Sequence, residues 1–272
     1  MAAFGDSVVM PKVELRDVRM SFPVDTGVLD VIDGISFSAD EGQFVSVIGP
    51  SGCGKSTMFN IMAGLERPTS GGVFVDGSDA TGRTESFAYM PQKDLLFPWR
   101  RVIDNTTLGL EVQGVRKKEA RKRAEPLFDV FGLSDFKESY PFELSGGMRQ
   151  RAALLRTVVQ DRSILLLDEP FGALDSLTRT EMQTWLETVW ERYQWTVVLI
   201  THDIREAVFL SDRVLVLSAR PCRIRLDVAV DLPRPRELSM VTSAEFAAIE
   251  AELLGALHEE SMHSMARAAG IA

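Results

Sequence analysis

Cysteine is scarce in this chain, with only Cys53 and Cys222 among 272 residues. Two cysteines are too few for a disulfide framework, and this count favours a reduced, intracellular setting. Long hydrophobic runs are also missing, because aliphatic runs such as 164–167 and 197–200 extend over only four residues. A membrane-spanning helix needs roughly 20, so we expect a soluble chain. The first ten residues hold no Lys or Arg and no long apolar run, which argues against a secretory signal.

Basic residues are outnumbered, with 30 Lys and Arg against 39 Asp and Glu, and the net charge is −9. A negative surface repels polyanions at long range, so we expect no nucleic-acid partner. A compact anion can still bind at a local site. The composition, 45% hydrophobic and 25% charged, is typical of a globular protein. A chain of this length can form one large domain, or one domain with an inserted lobe.

Short β-branched runs alternate with longer helical patterns along the chain. The runs 164–167 and 197–200 are apolar at every position, which is typical of parallel strands covered by helices on both faces. This pattern predicts an α/β fold. The predicted strands cover residues 13–20, 34–39, 44–48, 73–76, 87–90, 164–167, 196–201, 214–217 and 224–230.

Residues 93–160 have a helical character and are predicted to form a lobe inserted between two halves of the sheet domain. Pro126 interrupts the helical pattern there and is expected to kink or restart the helix. Residues 233–272 follow as a C-terminal helical extension, in which Thr242 and Glu245 have the spacing of a capping box. This tail is too short to build a second core of its own.

The segment 49–57 reads Gly-Pro-Ser-Gly-Cys-Gly-Lys-Ser-Thr and lies between the predicted strand 44–48 and a helical stretch. Its glycines let backbone N–H groups surround the phosphates of a nucleotide, with Lys55 on the β/γ oxygens and the Ser56 hydroxyl on Mg²⁺. A plain glycine-rich turn is disfavoured because a strand and a helix flank the segment. The predicted nucleotide contacts are Gly49, Pro50, Ser51, Gly52, Cys53, Gly54, Lys55, Ser56 and Thr57.

Asp168 and Glu169 stand at the end of the apolar strand 164–167. Consecutive residues there can face different directions, so Asp168 can serve a metal while Glu169 approaches a water beyond the γ-phosphate. Two acids at a strand end are otherwise often a solvated turn. Their combination with the phosphate loop favours the functional interpretation.

The segment 144–152 reads Leu-Ser-Gly-Gly-Met-Arg-Gln-Arg-Ala. Its serine and glycines can present backbone donors at a helix N-terminus, as a second anion site without a lysine. One nucleotide on the first loop leaves this second site without a ligand, unless it serves a neighbouring molecule. A helix cap is the alternative interpretation.

With these three segments in this order, residues 11 to about 232 resemble the ATP-binding subunits of ATP-binding-cassette (ABC) transporters. This resemblance implies a P-loop NTPase fold, with a RecA-like parallel sheet core, an N-terminal antiparallel β section and an inserted helical subdomain. It also implies ATP and Mg²⁺ as ligands. By the same resemblance, Gln92 is the Q-loop glutamine, which contacts Mg²⁺ and the catalytic site, and His202 is the switch histidine. Phe22 takes the place of the aromatic residue that stacks on adenine.

In that family, two subunits hold two ATP molecules head to tail. The resemblance therefore implies a homodimer, in which Ser145, Gly146 and Gly147 contact the γ-phosphate bound by the other copy, and Asp175 lies at the dimer seam. Glu169 would polarise the attacking water, and the implied catalytic set is Glu169, His202, Lys55 and Gln92.

A narrower resemblance rests on the segments 92–99, 144–151 and 233–236, which are similar to those of nitrate, sulfonate, taurine and thiamine-precursor importers. It implies a membrane permease, a solute-binding protein that acts through the permease, and a peripheral location on the cytoplasmic face of the cell membrane. The predicted permease contacts are Leu95, Leu96, Phe97 and Trp99. Packing of these side chains into the helical lobe is the alternative.

Three other functions share part of this pattern. An exporter or lipid-extraction ATPase also uses a separate ATPase chain, so it stays an alternative, as does a non-transport ABC ATPase of DNA repair or translation. A P-loop kinase or GTPase would lack the segment 145–147.

Cys53 is interpreted as a small apolar filler of the phosphate loop.

Overall fold

Two β-sheets of different kinds organise the protein. The structure, a computed structural model, describes residues 10–25 and 27–268, with the backbone alone at 261 and 263–268. The first sheet is antiparallel and has the strand order β2-β1-β4-β5. Its strands are β1 (Val13–Val24), β2 (Gly27–Ala39), β4 (Ser70–Val75) and β5 (Ser78–Asp79).

The second sheet has six strands in the order β10-β9-β3-β8-β7-β6, and all neighbours are parallel except β9 and β10. Every residue of β3, β7 and β8 is buried, as expected for strands covered on both faces. The strands are β3 (Phe44–Ile48), β6 (Ala88–Met90), β7 (Ile164–Asp168), β8 (Thr196–Ile200), β9 (Arg213–Leu217) and β10 (Ile224–Ala229). The predicted α/β class is confirmed.

Eight helices accompany the sheets within the described residues. Four of them, α2 to α5, follow one another between β6 and β7 without an intervening strand. The bounds predicted for the helical subdomain and the C-terminal extension stay predictions. The helices are α1 (Lys55–Met62), α2 (Val102–Thr106), α3 (Leu108–Val112), α4 (Lys117–Val130), α5 (Gly146–Val158), α6 (Ser176–Tyr193), α7 (Ile204–Leu210) and α8 (Ala244–Ala268). Among the described residues, none of these helices is both long and apolar enough to cross a bilayer.

Two local expectations about helices need correction. Helix α4 does not restart at Pro126 but continues through it, and a kink at this residue stays a prediction. Proline removes one hydrogen bond there, whereas Ala120, Ala124 and Phe128 keep one face of the helix fully buried. The N-cap of α8 is Ser243 rather than Thr242, because the Ser243 hydroxyl accepts the Phe246 N–H at 3.1 Å.

The C-terminal helix shares the core of the six-stranded sheet. Phe246 and Leu253 are fully buried in the same apolar cluster as Phe44 and Phe209. Before the helix, Arg236 is buried and donates to the carbonyls of Val208 and Ser211 at 2.6 and 2.7 Å, beside the end of α7. The tail therefore packs onto the domain.

Replacing Phe246 with alanine should destabilise the whole domain. The change removes a fully buried ring, so we expect a loss of about 3–5 kcal/mol in the free energy of unfolding. Urea unfolding of the full chain measures it. Leu254→Ala on the same helix, where the side chain is 57% exposed, should stay within about 0.5 kcal/mol of the wild type. If Phe246→Ala lowered the free energy of unfolding as little as Leu254→Ala, α8 would not be part of the core.

Candidate nucleotide site

A glycine-rich loop joins β3 to α1 and forms the wall of a cavity of about 320 Å³. Gly52 and Gly54 have φ angles of 72° and 133°, in the region that L side chains rarely adopt. No side chain caps the N-terminus of α1, which leaves its backbone N–H groups available for an anion. The cavity is lined by Val31, Ser51, Gly52, Gly54, Lys55, Ser56, Thr57, Glu169 and Arg220.

Lys55 is folded back onto the loop. Its ammonium donates to the carbonyls of Gly49 and Pro50 at 2.8 and 3.0 Å, and the residue is only 8% exposed. Because an ammonium has three hydrogens, one donor remains for a phosphate oxygen.

Asp168 ends β7 next to the loop and is 6% exposed. Burial raises the pKa of this carboxyl, and the charge of Glu169 adds to the rise. Hydrogen bonds from Tyr89 and Ser56 and the charge of Lys55 oppose it. The Tyr89 hydroxyl donates to Asp168 at 3.4 Å, and burial raises the pKa of Tyr89 to about 12, so it acts as a neutral donor.

These groups fit a magnesium ion. The Ser56 hydroxyl and the Asp168 carboxylate are adjacent oxygen donors, the type that Mg²⁺ prefers when phosphates and waters complete its shell. Among the described residues, no group of three or more His, Cys, Asp and Glu side chains converges on a metal position. A magnesium site made of one hydroxyl, one carboxylate, phosphates and waters does not need such a cluster.

Glu169 is the point where three distant parts of the chain meet. Its Oε2 accepts the amide of Gln92 at 2.9 Å and lies 3.2 Å from Nδ1 of His202. Its φ angle of 45° is unusual for a residue with a side chain, and strain of this kind is common at functional sites. The Glu169 N–H donates to Ile200 at 2.8 Å, which fixes the backbone against β8.

Two of the residues expected to act in trans, Ser145 and Asp175, cap neighbouring helices. The Ser145 hydroxyl accepts the Met148 N–H at 3.3 Å at the start of α5, and Asp175 accepts the Thr178 N–H at 3.1 Å at the start of α6. A Cβ on Gly147 would come within 2.9 Å of Thr178, so the helices touch there. None of Ser145, Gly146, Gly147 and Asp175 is among the residues that line the phosphate cavity.

Several site residues carry no sequence signal. Val31 and Arg220 line the cavity, and Tyr89 contacts Asp168, yet none belongs to a motif. Phe22 is half-buried on β1, opposite Leu29 of β2, and its stacking role stays a prediction.

Three residues of the cluster expected to meet a permease, Leu95, Leu96 and Phe97, line a groove of about 770 Å³. Leu95, Phe97 and Trp99 are 57%, 38% and 72% exposed, and the two aromatic rings stack 5.1 Å apart. Leu96 is only 7% exposed and belongs to the core, so packing accounts for much of its side chain. Its contact with a permease stays a prediction.

Helix α5 holds the groove in place. Arg156 donates to the carbonyls of Asp94 and Leu95 at 2.6 and 2.9 Å. Arg149 pairs with the Asp94 carboxylate at 3.3 Å. The groove loop is therefore tied to the helix that Ser145 caps.

A phosphate loop follows β3, and carboxylates stand at the end of the parallel strand β7, with β8 between the two strands. This arrangement defines a P-loop nucleotide-binding protein. The ABC transporter family model matches residues 32–172, which is more than half of the chain. The chain belongs to the ABC transporter family.

Relatives and solved structures agree with this assignment. A nitrate import ATP-binding protein from Synechocystis is 42% identical over 83% of this chain and 85% of its own length. An aliphatic sulfonates import ATP-binding protein from Bacillus cereus is 40% identical over 82% and 88%. A dimeric ATP-binding cassette bound to ADP and Pi has a TM-score of 0.70 and 29% identity, covering 81% of this chain and 100% of that one.

Replacing Asp168 with asparagine should stabilise the protein without nucleotide. The native pKa of Asp168 is raised above its ordinary value of 3.8, so the folded protein holds this proton more tightly than the unfolded chain does. The protonated carboxyl therefore stabilises the fold at low pH, and that stabilisation is lost as the pH rises through the native pKa. At pH 7 the buried charge opposes folding, and we expect Asp168→Asn to raise Tm by a few degrees. The same variant should lose Mg²⁺-dependent ATP binding.

Scanning calorimetry at pH 7 and nucleotide titration with and without Mg²⁺ measure both effects. Asp175→Asn is the control, because a hydrogen bond from Thr178 lowers the pKa of Asp175, so neutralisation there should not raise Tm. A fall in Tm for Asp168→Asn would contradict the expectation.

Proposed function

We propose that this protein binds and hydrolyses MgATP as the nucleotide-binding subunit of an ABC importer. The observation that carries the proposal is the convergence of Gln92 and His202 on the carboxylate of Glu169, at the edge of the phosphate cavity. A general base held by two neighbours and facing a phosphate loop suits attack by water on the γ-phosphate.

Each side chain has a distinct part in the proposed reaction. Lys55 and the backbone N–H groups of residues 52–57 bind the phosphates and align them. Glu169 orients the attacking water and takes its proton, while Gln92 and His202 fix the carboxylate. Ser56, Asp168 and Gln92 would hold Mg²⁺, which when bound neutralises charge on the phosphate oxygens.

The active assembly is proposed to be a homodimer. Ser145, Gly146 and Gly147 lie outside the cavity of their own chain, so they would supply donors to the nucleotide of the partner copy, with Asp175 at the seam. A dimeric cassette among the structural neighbours was solved with ADP and Pi, which supports this arrangement. ATP favours closure only because it contacts both copies, and hydrolysis removes that preference.

The groove is proposed to receive a membrane permease. The relatives named for nitrate and aliphatic sulfonate import support a small organic or anionic cargo of the sulfonate, taurine, nitrate or thiamine-precursor type. A solute-binding protein would deliver the cargo to the permease, and this subunit would lie at the cytoplasmic face of the cell membrane. In this scheme residues 11–232 form the ATPase domain with its helical subdomain at about 93–160, and residues 233–272 are an extension.

Glu169→Gln should separate binding from hydrolysis. Because the amide keeps the shape but cannot take a proton, we expect ATP binding to survive and turnover to fall by about 10²-fold or more. Saturation with MgATP should then trap a dimer, which light scattering detects. Turnover near the wild-type rate would remove Glu169 from the role of base.

Ser145→Arg is the companion variant. It should bind nucleotide as a monomer and show neither turnover nor a dimer, because an arginine at the seam blocks the approach of the partner copy. Loss of nucleotide binding by the monomer would instead make the segment a local folding element.

Replacing Phe97 and Trp99 together with serine should uncouple this subunit from its permease. Both rings are exposed and stack on one another, so their loss leaves the core intact. The basal ATPase rate should stay within about twofold, whereas stimulation by the permease in vesicles should disappear. Leu254→Ser, at an exposed position on α8, is the control and should keep the stimulation.

The same vesicle assay tests the alternative functions. Stimulation by importer permeases together with a loaded solute-binding protein supports the importer. Stimulation by exporter or lipid-extraction partners, or by nucleic acid or ribosomes, would overturn it.

A further inference from the structure

The chain's two cysteines meet beside the phosphate loop. Cys53 lies within the loop, and Cys222 lies in the turn between β9 and β10. Both are buried, at 2% and 0% exposed, in one apolar cluster. Cys222 also lies against the backbone next to Cys53, because a Cβ on Gly54 would come within 3.0 Å of the Cys222 sulfur.

The Cys222 side of this pair is rigid. Its backbone N–H donates to Val31 at 2.9 Å, and its carbonyl accepts the Asp33 N–H at 3.0 Å, so the turn is hydrogen-bonded to β2. The same turn is held by α8, because Glu260 accepts the Ala219 N–H at 3.1 Å. A bond between the two sulfurs would move the phosphate loop rather than the turn.

We propose that Cys53 and Cys222 form a redox modification site, at which a hydroperoxide oxidises the two thiols to a disulfide and closes the phosphate loop to ATP. The consequence for ATP rests on the proposed function. The cross-link itself does not.

The reaction balances with a hydroperoxide as the two-electron oxidant. The Cys53 thiolate attacks the distal peroxide oxygen, the O–O bond breaks, and the alcohol leaves with the proton from Cys53. Cys53 is then a sulfenic acid. The Cys222 sulfur attacks it, the S–S bond forms, and the sulfenic oxygen leaves as water with the Cys222 proton. Two thiols and one hydroperoxide give one disulfide, one alcohol and one water.

The surroundings favour Cys53 as the first thiol to react. The neighbouring Cys222 thiol and then the charge of Lys55 lower the pKa of Cys53, and the thiolate is the reactive form. The pKa of Cys222 is raised by the same pairing and by burial, so Cys53 is the first of the two thiols to lose its proton. A small peroxide can approach through the cavity, which is lined by Gly52 and Gly54 on either side of Cys53.

The disulfide would distort the loop that must surround the phosphates. An S–S bond is about 2.05 Å long, which is shorter than any contact between unbonded sulfurs, so Cys53 must move toward the turn. Gly54 has little room to follow, because a Cβ there would already lie 3.0 Å from the Cys222 sulfur and 3.1 Å from Val31. The backbone N–H groups of the loop would then no longer point together toward the phosphates.

The test uses the purified full chain, treated with hydrogen peroxide or tert-butyl hydroperoxide without nucleotide. Peptide mapping by mass spectrometry without reductant should find Cys53 linked to Cys222. ATP affinity, measured by titration with a fluorescent ATP analogue, should fall at least about tenfold and return on addition of dithiothreitol. Saturating MgATP during the treatment should slow the cross-link.

Cys222→Ser is the matched control, because it keeps a hydroxyl donor beside Cys53 and removes the resolving thiol. It should bind ATP like the wild type before treatment. After treatment it should give a sulfenic acid at Cys53, which dimedone labels, and no linked peptide.

Two results would overturn the proposal. One is complete oxidation of Cys53 to sulfinic acid in the wild type without a linked peptide. The other is a cross-linked protein that binds ATP as tightly as the reduced one. If the reduced protein itself does not bind ATP, the proposed function fails, and the peptide map still reports whether the site exists.

Discussion

The parallel pairing of five neighbouring strands is the constraint on which the site depends. In the order β9-β3-β8-β7-β6, parallel strands bring their carboxyl ends to one edge of the sheet. The phosphate loop follows β3, His202 follows β8, and Gln92 follows β6, while Asp168 ends β7 and Glu169 comes next. The strand register places these ends side by side, because Ile200 of β8 pairs with Asp168 of β7 on one side and with Val47 of β3 on the other.

Charge is concentrated at this edge, at a cost in stability. Asp168 is buried beside Glu169, which raises its pKa, and Glu169 has a strained backbone. Both features oppose folding at neutral pH. The fully buried strands β3, β7 and β8 offset that cost through apolar contacts. The site is thus maintained by the core beneath it, which is the usual relation between stability and function.

The sequence predicted the parts that local patterns encode. The phosphate loop, the buried strands 164–167 and 197–200 and the acidic pair each have a fixed spacing that follows from their chemistry. Tyr89, Arg220 and the pairing of Cys53 with Cys222 are contacts between distant segments, and no local pattern reports them. The restart expected at Pro126 and the cap expected at Thr242 are both absent, since tertiary packing and a neighbouring serine outweighed the local signal.

The contacts of the segment 92–99 link the groove to the chemistry. Gln92 at its start holds the Glu169 carboxylate, and Asp94 and Leu95 are held by arginines of α5. Since Ser145 caps that helix, one short segment touches the proposed base of its own site and the helix proposed to serve the partner's site. A shift of the groove loop would therefore displace both together, because these contacts are direct hydrogen bonds and ion pairs rather than a chain of loose packing. In the proposed scheme, this connection would let a permease in the groove respond to nucleotide at either site.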